Sequence, residues 1–96
     1  MYMRIVRFQP PDGQAAEVAR KWEAFYSERM RAQPGFRHAH FGIDPATGAT
    51  AVVTVLANKP DDTLFEQLLG EFRDTVAMTG SGQAPEVTLY EIAAEF

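Results

Sequence analysis

The order of apolar segments along the chain runs twice: strand, amphipathic helix, strand, and then strand, helix, strand again. The opening segment, Tyr2 to Gln9, alternates between Tyr2, Arg4, Val6 and Phe8 on one side and Met3, Ile5 and Arg7 on the other. Both sets carry apolar residues, the pattern of a strand covered on both faces. The Val- and Thr-rich segment Ala49 to Ala57 reads the same way. Two helices cover only one face of a sheet, so a chain of this pattern needs something on the other.

Punctuation between the segments is clear. Pro10-Pro11 ends the first strand because proline cannot donate to a ladder. Asp12 then suits the N-cap of a helix over Gln14 to Gln33, whose large side chains Val18, Trp22, Phe25, Tyr26 and Met30 recur at three- and four-residue steps. Gln33-Pro34-Gly35 stops that helix. Phe36 to Ile43 reads as the second strand, and Asp44-Pro45-Ala46-Thr47-Gly48 as a hairpin turn into the third. Pro60, Asp61 and Asp62 suit the first turn of a second helix, with Leu64, Phe65, Leu68, Leu69, Phe72 and Val76 as its apolar stripe. Gly80 to Pro85 reads as a loop able to serve as a lid, and Val87 to Ile92 as the last strand.

The βαββαβ order with one central hairpin predicts an α+β, ferredoxin-like fold in a single domain over 1–96. Right-handed crossovers put both helices on one face of a four-stranded antiparallel sheet. The bare face would then expose more apolar surface than the few hundred Å² a monomer usually shows. A two-fold homodimer that pairs the bare faces covers it. Two sheets packed in this way make a dimeric α+β barrel with the helices outside.

Composition narrows the partners. A net charge of −4 and no basic stretch argue against nucleic acid. The absence of cysteine excludes disulfides, thiol nucleophiles and thiolate metal sites, and fits a cytoplasmic location. The N-terminus has no signal-peptide pattern, and no apolar run approaches the roughly 20 residues of a membrane helix. Seven Phe, three Tyr and one Trp are generous for 96 residues and suit a large core, an interface or an apolar pocket.

The ordered set of segments carries a family resemblance. The opening Met1-Tyr2-Met3-Arg4-Ile5 strand, the Gln33-Pro34-Gly35-Phe36-Arg37 turn, the Asp44-Pro45-Ala46-Thr47-Gly48 hairpin, the Val52-Val53-Thr54-Val55 strand and the acidic start of the second helix together resemble the dimeric α+β barrel superfamily, in its antibiotic-biosynthesis-monooxygenase-like group. The resemblance implies a pocket between the helices and the sheet of each subunit. It also implies activities that range from cofactor-free oxygenation of polycyclic aromatics and quinols to haem degradation. Three departures stand out. Leu56-Ala57-Asn58 replaces a tryptophan and a small polar residue of many active members, no histidine follows His40, and Tyr2 to Phe8 contains no asparagine. The last two argue against haem degradation.

Two histidines, His38 and His40, share one face of the second strand. A neutral imidazole suits the deprotonation of a phenol or quinol, so both are candidate catalytic bases; hydrogen bonding at a sheet or dimer edge is the other reading. No carboxylate stands at an obvious spacing to complete a metal site, and none is expected. Trp22, Tyr26 and Arg29 on the first helix are candidates to stack on a planar aromatic ligand and anchor its oxygen, with Phe65 and Phe72 of the second helix lining the same cavity. The same aromatics also read as ordinary core. Arg4 and Arg7 lie on opposite faces of an apolar strand; a buried arginine wants a carboxylate, and Glu91 on the last strand is the expected partner. The functional expectation is therefore a cofactor-independent monooxygenase acting on a planar phenol or quinol. The alternative is a non-catalytic ligand-binding or stress-associated dimer of the same fold.

Overall fold

The fold was analysed in a computed structural model, which describes residues 1–80 and 83–96. Six elements follow in the expected order: β1 (Tyr2–Phe8), α1 (Ala15–Arg31), β2 (Phe36–Ile43), β3 (Thr50–Leu56), α2 (Asp62–Thr75) and β4 (Glu86–Glu91). The four strands form one antiparallel sheet in the order β2-β3-β1-β4. The ferredoxin-like arrangement is the expected one, with β2 and β4 at the edges of the sheet.

Register sorts the side chains into two faces. Phe8 pairs with Thr50, Val6 with Val52 and Arg4 with Thr54, and all six are buried beneath the helices. The intervening pairs Ile5–Val53 and Met3–Val55 lie on the opposite face with Tyr90, the β4 partner of Met3. Val55 is buried there, Met3, Ile5 and Val53 are half-buried, and Tyr90 is exposed. The two-sided apolar pattern of the sequence thus corresponds to one helix-covered face and one without a helix.

Val18, Trp22, Tyr26 and Met30, four residues apart, are the buried stripe of α1. Phe65, Leu69 and Phe72 are that of α2. They meet Val6, Phe8 and Val52 of the sheet in one core, which Met78 completes from the segment after α2. Leu64, expected on the α2 stripe, lies off it and is 42% exposed.

Helix starts differ from expectation at both sites. A turn closed by the Gln14 amide donating to the Pro11 carbonyl, with Gly13 at φ +74°, intervenes before α1. Gln14 rather than Asp12 therefore occupies the N-cap, and its side chain makes no capping bond. At α2 the cap is Asp61, whose carboxylate accepts from the Thr63 and Leu64 amides. Pro60 consequently precedes the cap instead of lying in the first turn. The lid reading of Gly80 to Pro85 rests on residues 81 and 82, which lie outside the described residues.

Gly35 is the turn from α1 into β2. Its φ is +84°, its carbonyl accepts from the Ala57 amide at 2.7 Å, and an added Cβ would stand 3.0 Å from the Asn58 Nδ2. A left-handed backbone costs an L-residue roughly 1–2 kcal/mol. Gly35→Ala is therefore expected to lower the thermal midpoint by about 4–8 °C for each kcal/mol lost in a domain of this size. An unchanged midpoint in a melting curve would contradict this account of the turn.

Candidate functional site

Between α1 and the edge strand β2 the layers do not close. The residues that face each other across this gap include Ala19 on α1 and Ala39 on β2, both too small to fill it. The result is a groove of about 800 Å³. Its α1 wall carries Trp22, Tyr26 and Met30, its β2 wall Phe36 and Phe41, its floor Val6, Val52 and Thr54, and its inner end Phe65. At the rim stand Arg20, Arg31 and Arg37 against a single acidic side chain, Glu23.

The aromatic side chains are core and groove at once. Trp22 stacks on Phe8 with ring centroids 6.0 Å apart, meets Phe41 edge-on at 5.9 Å and lies 4.3 Å from the Tyr26 ring. Tyr26 and Trp22 both lean on Phe72 from the opposite side, at 5.6 and 5.3 Å. Offset and edge-on contacts of this kind hold ring orientation as well as burying area. One side of the cluster thus lines the groove with rings held in place by their neighbours.

Two polar groups are buried behind the groove lining, near Phe65 and Met30. Arg4 is 2% exposed and rises from β1 on the helix side of the sheet. Its guanidinium carbon sits 3.6 Å from the Phe65 ring centroid, and Nη2 approaches the Met30 sulfur at 3.7 Å. The expected pairing with Glu91 does not form: the register sets Glu91 opposite Tyr2 and Leu89 opposite Arg4. Among the described residues Arg4 has no salt-bridge partner, and its Nε has no hydrogen-bond acceptor. The Tyr26 hydroxyl is likewise buried without a partner.

Burial has opposite effects on these groups. Loss of hydration lowers the Arg4 pKa to about 10, against a smaller opposing pull from Asp62 and from Tyr26. Arg4 therefore remains a cation at neutral pH. Burial pushes the Tyr26 hydroxyl well above its ordinary value, so it remains a neutral donor. A depressed arginine opposes folding: the unfolded chain binds the proton more tightly, so the burial cost is present at all pH values below about 10.

The sequence-predicted site residues separate. Trp22, Tyr26 and Phe65 line the groove. Phe72 is 1% exposed and supports the wall from behind without lining it. Arg29 is exposed and turns back onto its own helix, over the Phe25 ring and against the Phe25 carbonyl. His38 and His40 are neighbours, 5.3 Å between ring centroids, and both are exposed. A β-bulge between Phe36 and His38 shifts the register, so His38 pairs with Val55 and His40 with Val53. That register sets both on the sheet face away from the helices, and both still border the groove at its β2 edge. Among the described residues no cluster of three or more His, Cys, Asp or Glu side chains is placed to hold a metal, and no helix is long and apolar enough to cross a membrane. Sequence reasoning treated Arg4 as half of an ion pair. Its signal was a lone cation in the otherwise apolar set Tyr2, Val6 and Phe8.

The chain belongs to the antibiotic biosynthesis monooxygenase family, whose sequence profile matches residues 1–57. Among curated proteins none matches in sequence. Solved structures of the same fold include the Streptomyces coelicolor monooxygenase from the gene ActVA-Orf6, described in complex with the ligand nanaomycin D. It has a TM-score of 0.74 and 13% identity over 99% of this chain and 89% of that one. SnoaB of Streptomyces nogalater, described as a cofactor-independent oxygenase, has a TM-score of 0.69 and 16% identity, covering 98% of this chain and 94% of that one. The Rv0793 protein of Mycobacterium tuberculosis has a TM-score of 0.67 and 16% identity over 98% and 96%. These identities establish a shared fold, in agreement with the family resemblance of the ordered sequence segments.

Proposed function

We propose that the protein is a homodimer whose groove binds a planar phenol or quinol and oxygenates it without a cofactor. The observation that carries this reading is the aromatic lining of the groove by Trp22, Tyr26, Phe36, Phe41 and Phe65, in a chain of the monooxygenase family. Dimer formation through the helix-free face is supported by the half-buried and exposed apolar side chains Met3, Ile5, Val53 and Tyr90 there.

The chemistry asks little of the protein. The bound phenol loses its proton, and the electron-rich anion donates electrons to dioxygen. One oxygen atom ends in the ring as a quinone carbonyl and the other leaves as water. For 1-naphthol this balances as naphthol plus dioxygen giving naphthoquinone plus water, with every electron supplied by the substrate. The groove contributes orientation and exclusion of water. His38 and His40, which border the groove from β2, belong to this proposal as its bases.

The same register favours a second reading, ligand binding without turnover, because neither imidazole is directed at the aromatic wall. Oxygen uptake with 1-naphthol separates the two. The first reading predicts protein-dependent consumption of dioxygen, label from isotopic dioxygen in the quinone, and a fall in rate for His40→Ala. Binding with no uptake would leave the second reading, and absence of binding would remove both.

A further inference from the structure

The inner end of the groove has a feature that an aromatic slot alone does not explain. Arg4 is a cation buried without a carboxylate, and the Tyr26 hydroxyl beside it is a buried donor without an acceptor. Buried charges are ordinarily paired, and buried donors are ordinarily bonded. Among the described residues Arg4 donates to one acceptor, the Met30 thioether, a weak acceptor on a flexible side chain. Asp62, whose charge acts on Arg4, makes no ion pair with it. The groove mouth also carries arginines, Arg31 and Arg37 beside Arg20, which pairs with Glu17, around one acidic lining residue, Glu23, in a chain whose net charge is −4. Positive charge is concentrated where the ligand would enter and where it would end.

We propose that Arg4 and Tyr26 form an oxyanion site: a rotamer change of Met30 uncovers them, and they take the ionised oxygen of a phenolic ligand. This inference rests on the reading of the groove as a phenol or quinol site and names the form in which the ligand is held. The guanidinium supplies the charge, and the hydroxyl, kept neutral by burial, donates a second hydrogen bond. The thioether of Met30 gives way to an oxygen that is a far better acceptor. A phenol bound here is ionised by the site itself, and its proton passes to solvent through the groove mouth.

The test is a difference absorption spectrum of the full chain with 2-naphthol at pH 7, with 2-methoxynaphthalene as a partner of similar shape that cannot ionise. The site predicts a red-shifted naphtholate band on binding, and binding of naphthol at least tenfold tighter than of the methyl ether. Arg4→Met is expected to remove the band and the tenfold preference while still binding both molecules. Arg4→Lys, which keeps the charge, is expected to keep part of the band. If wild-type protein binds both probes equally and shows no naphtholate band, the oxyanion site is overturned and the groove reading survives, whether or not any variant folds. A band that persists in Arg4→Met also overturns it. If neither probe binds, the groove reading itself fails.

Discussion

Ile5→Glu and Val53→Glu are each expected to turn a dimer into a monomer. The two residues face each other across β1 and β3 in the middle of the helix-free face. If that face meets its copy, a glutamate there is an unpaired buried charge, which costs about 3–5 kcal/mol. In a two-fold dimer the substitution occurs twice at one interface. Even a single such cost weakens association by roughly 10²- to 10⁴-fold. The mass measured by light scattering should therefore halve at micromolar concentration. Far-ultraviolet dichroism should hold its shape, because neither side chain touches α1 or α2. A wild-type protein that is already monomeric, or glutamate variants that remain dimeric, would contradict the interface.

Phe72→Ala is expected to be the most damaging single truncation for stability. Phe72 is 1% exposed and contacts the rings of Trp22, Phe25 and Tyr26 at 5.3–5.6 Å. Such a deletion typically costs about 3–5 kcal/mol, from lost burial and from the cavity left behind. A domain of this size has about 5–15 kcal/mol in total. The urea midpoint should fall accordingly, with the slope of the transition unchanged. Because Phe72 backs the groove wall without lining it, protein that remains folded should still take a planar ligand, more weakly through looser Trp22 and Tyr26 rings. A loss below about 1 kcal/mol would show that the aromatic cluster is not the centre of the core.

These expectations show what was readable in advance and what was not. The doubled strand–helix order, the hairpin and the two helix stripes were legible because period-two and period-3.6 patterns are local properties of the sequence. The shared face of His38 and His40 was legible for the same reason. Which face they share was not: it depends on the bulge after Phe36, and one extra residue sends every later side chain to the other side. The Arg4–Glu91 pairing failed in a similar way. That β1 and β4 are neighbours followed from the topology, whereas their register and the turn of Arg4 toward Phe65 and Met30 depend on tertiary packing. Trp22, Tyr26 and Phe65 were identifiable by spacing as one stripe. The groove beside them was not, because it exists through what is missing, the side-chain bulk at Ala19 and Ala39.

The central claim is that planar aromatic ligands occupy the groove on the helix side of the sheet. Alternation along the strands offers a direct reading: Val6 and Val52 line the groove, while Ile5 and Val53, one residue away, face the other side. Nuclear Overhauser contacts between bound 2-naphthol and methyl-labelled protein should therefore reach Val6, Val52, Met30 and the Trp22 indole. Contacts to Ile5 and Val53 in their place would put the ligand on the opposite face and contradict the account.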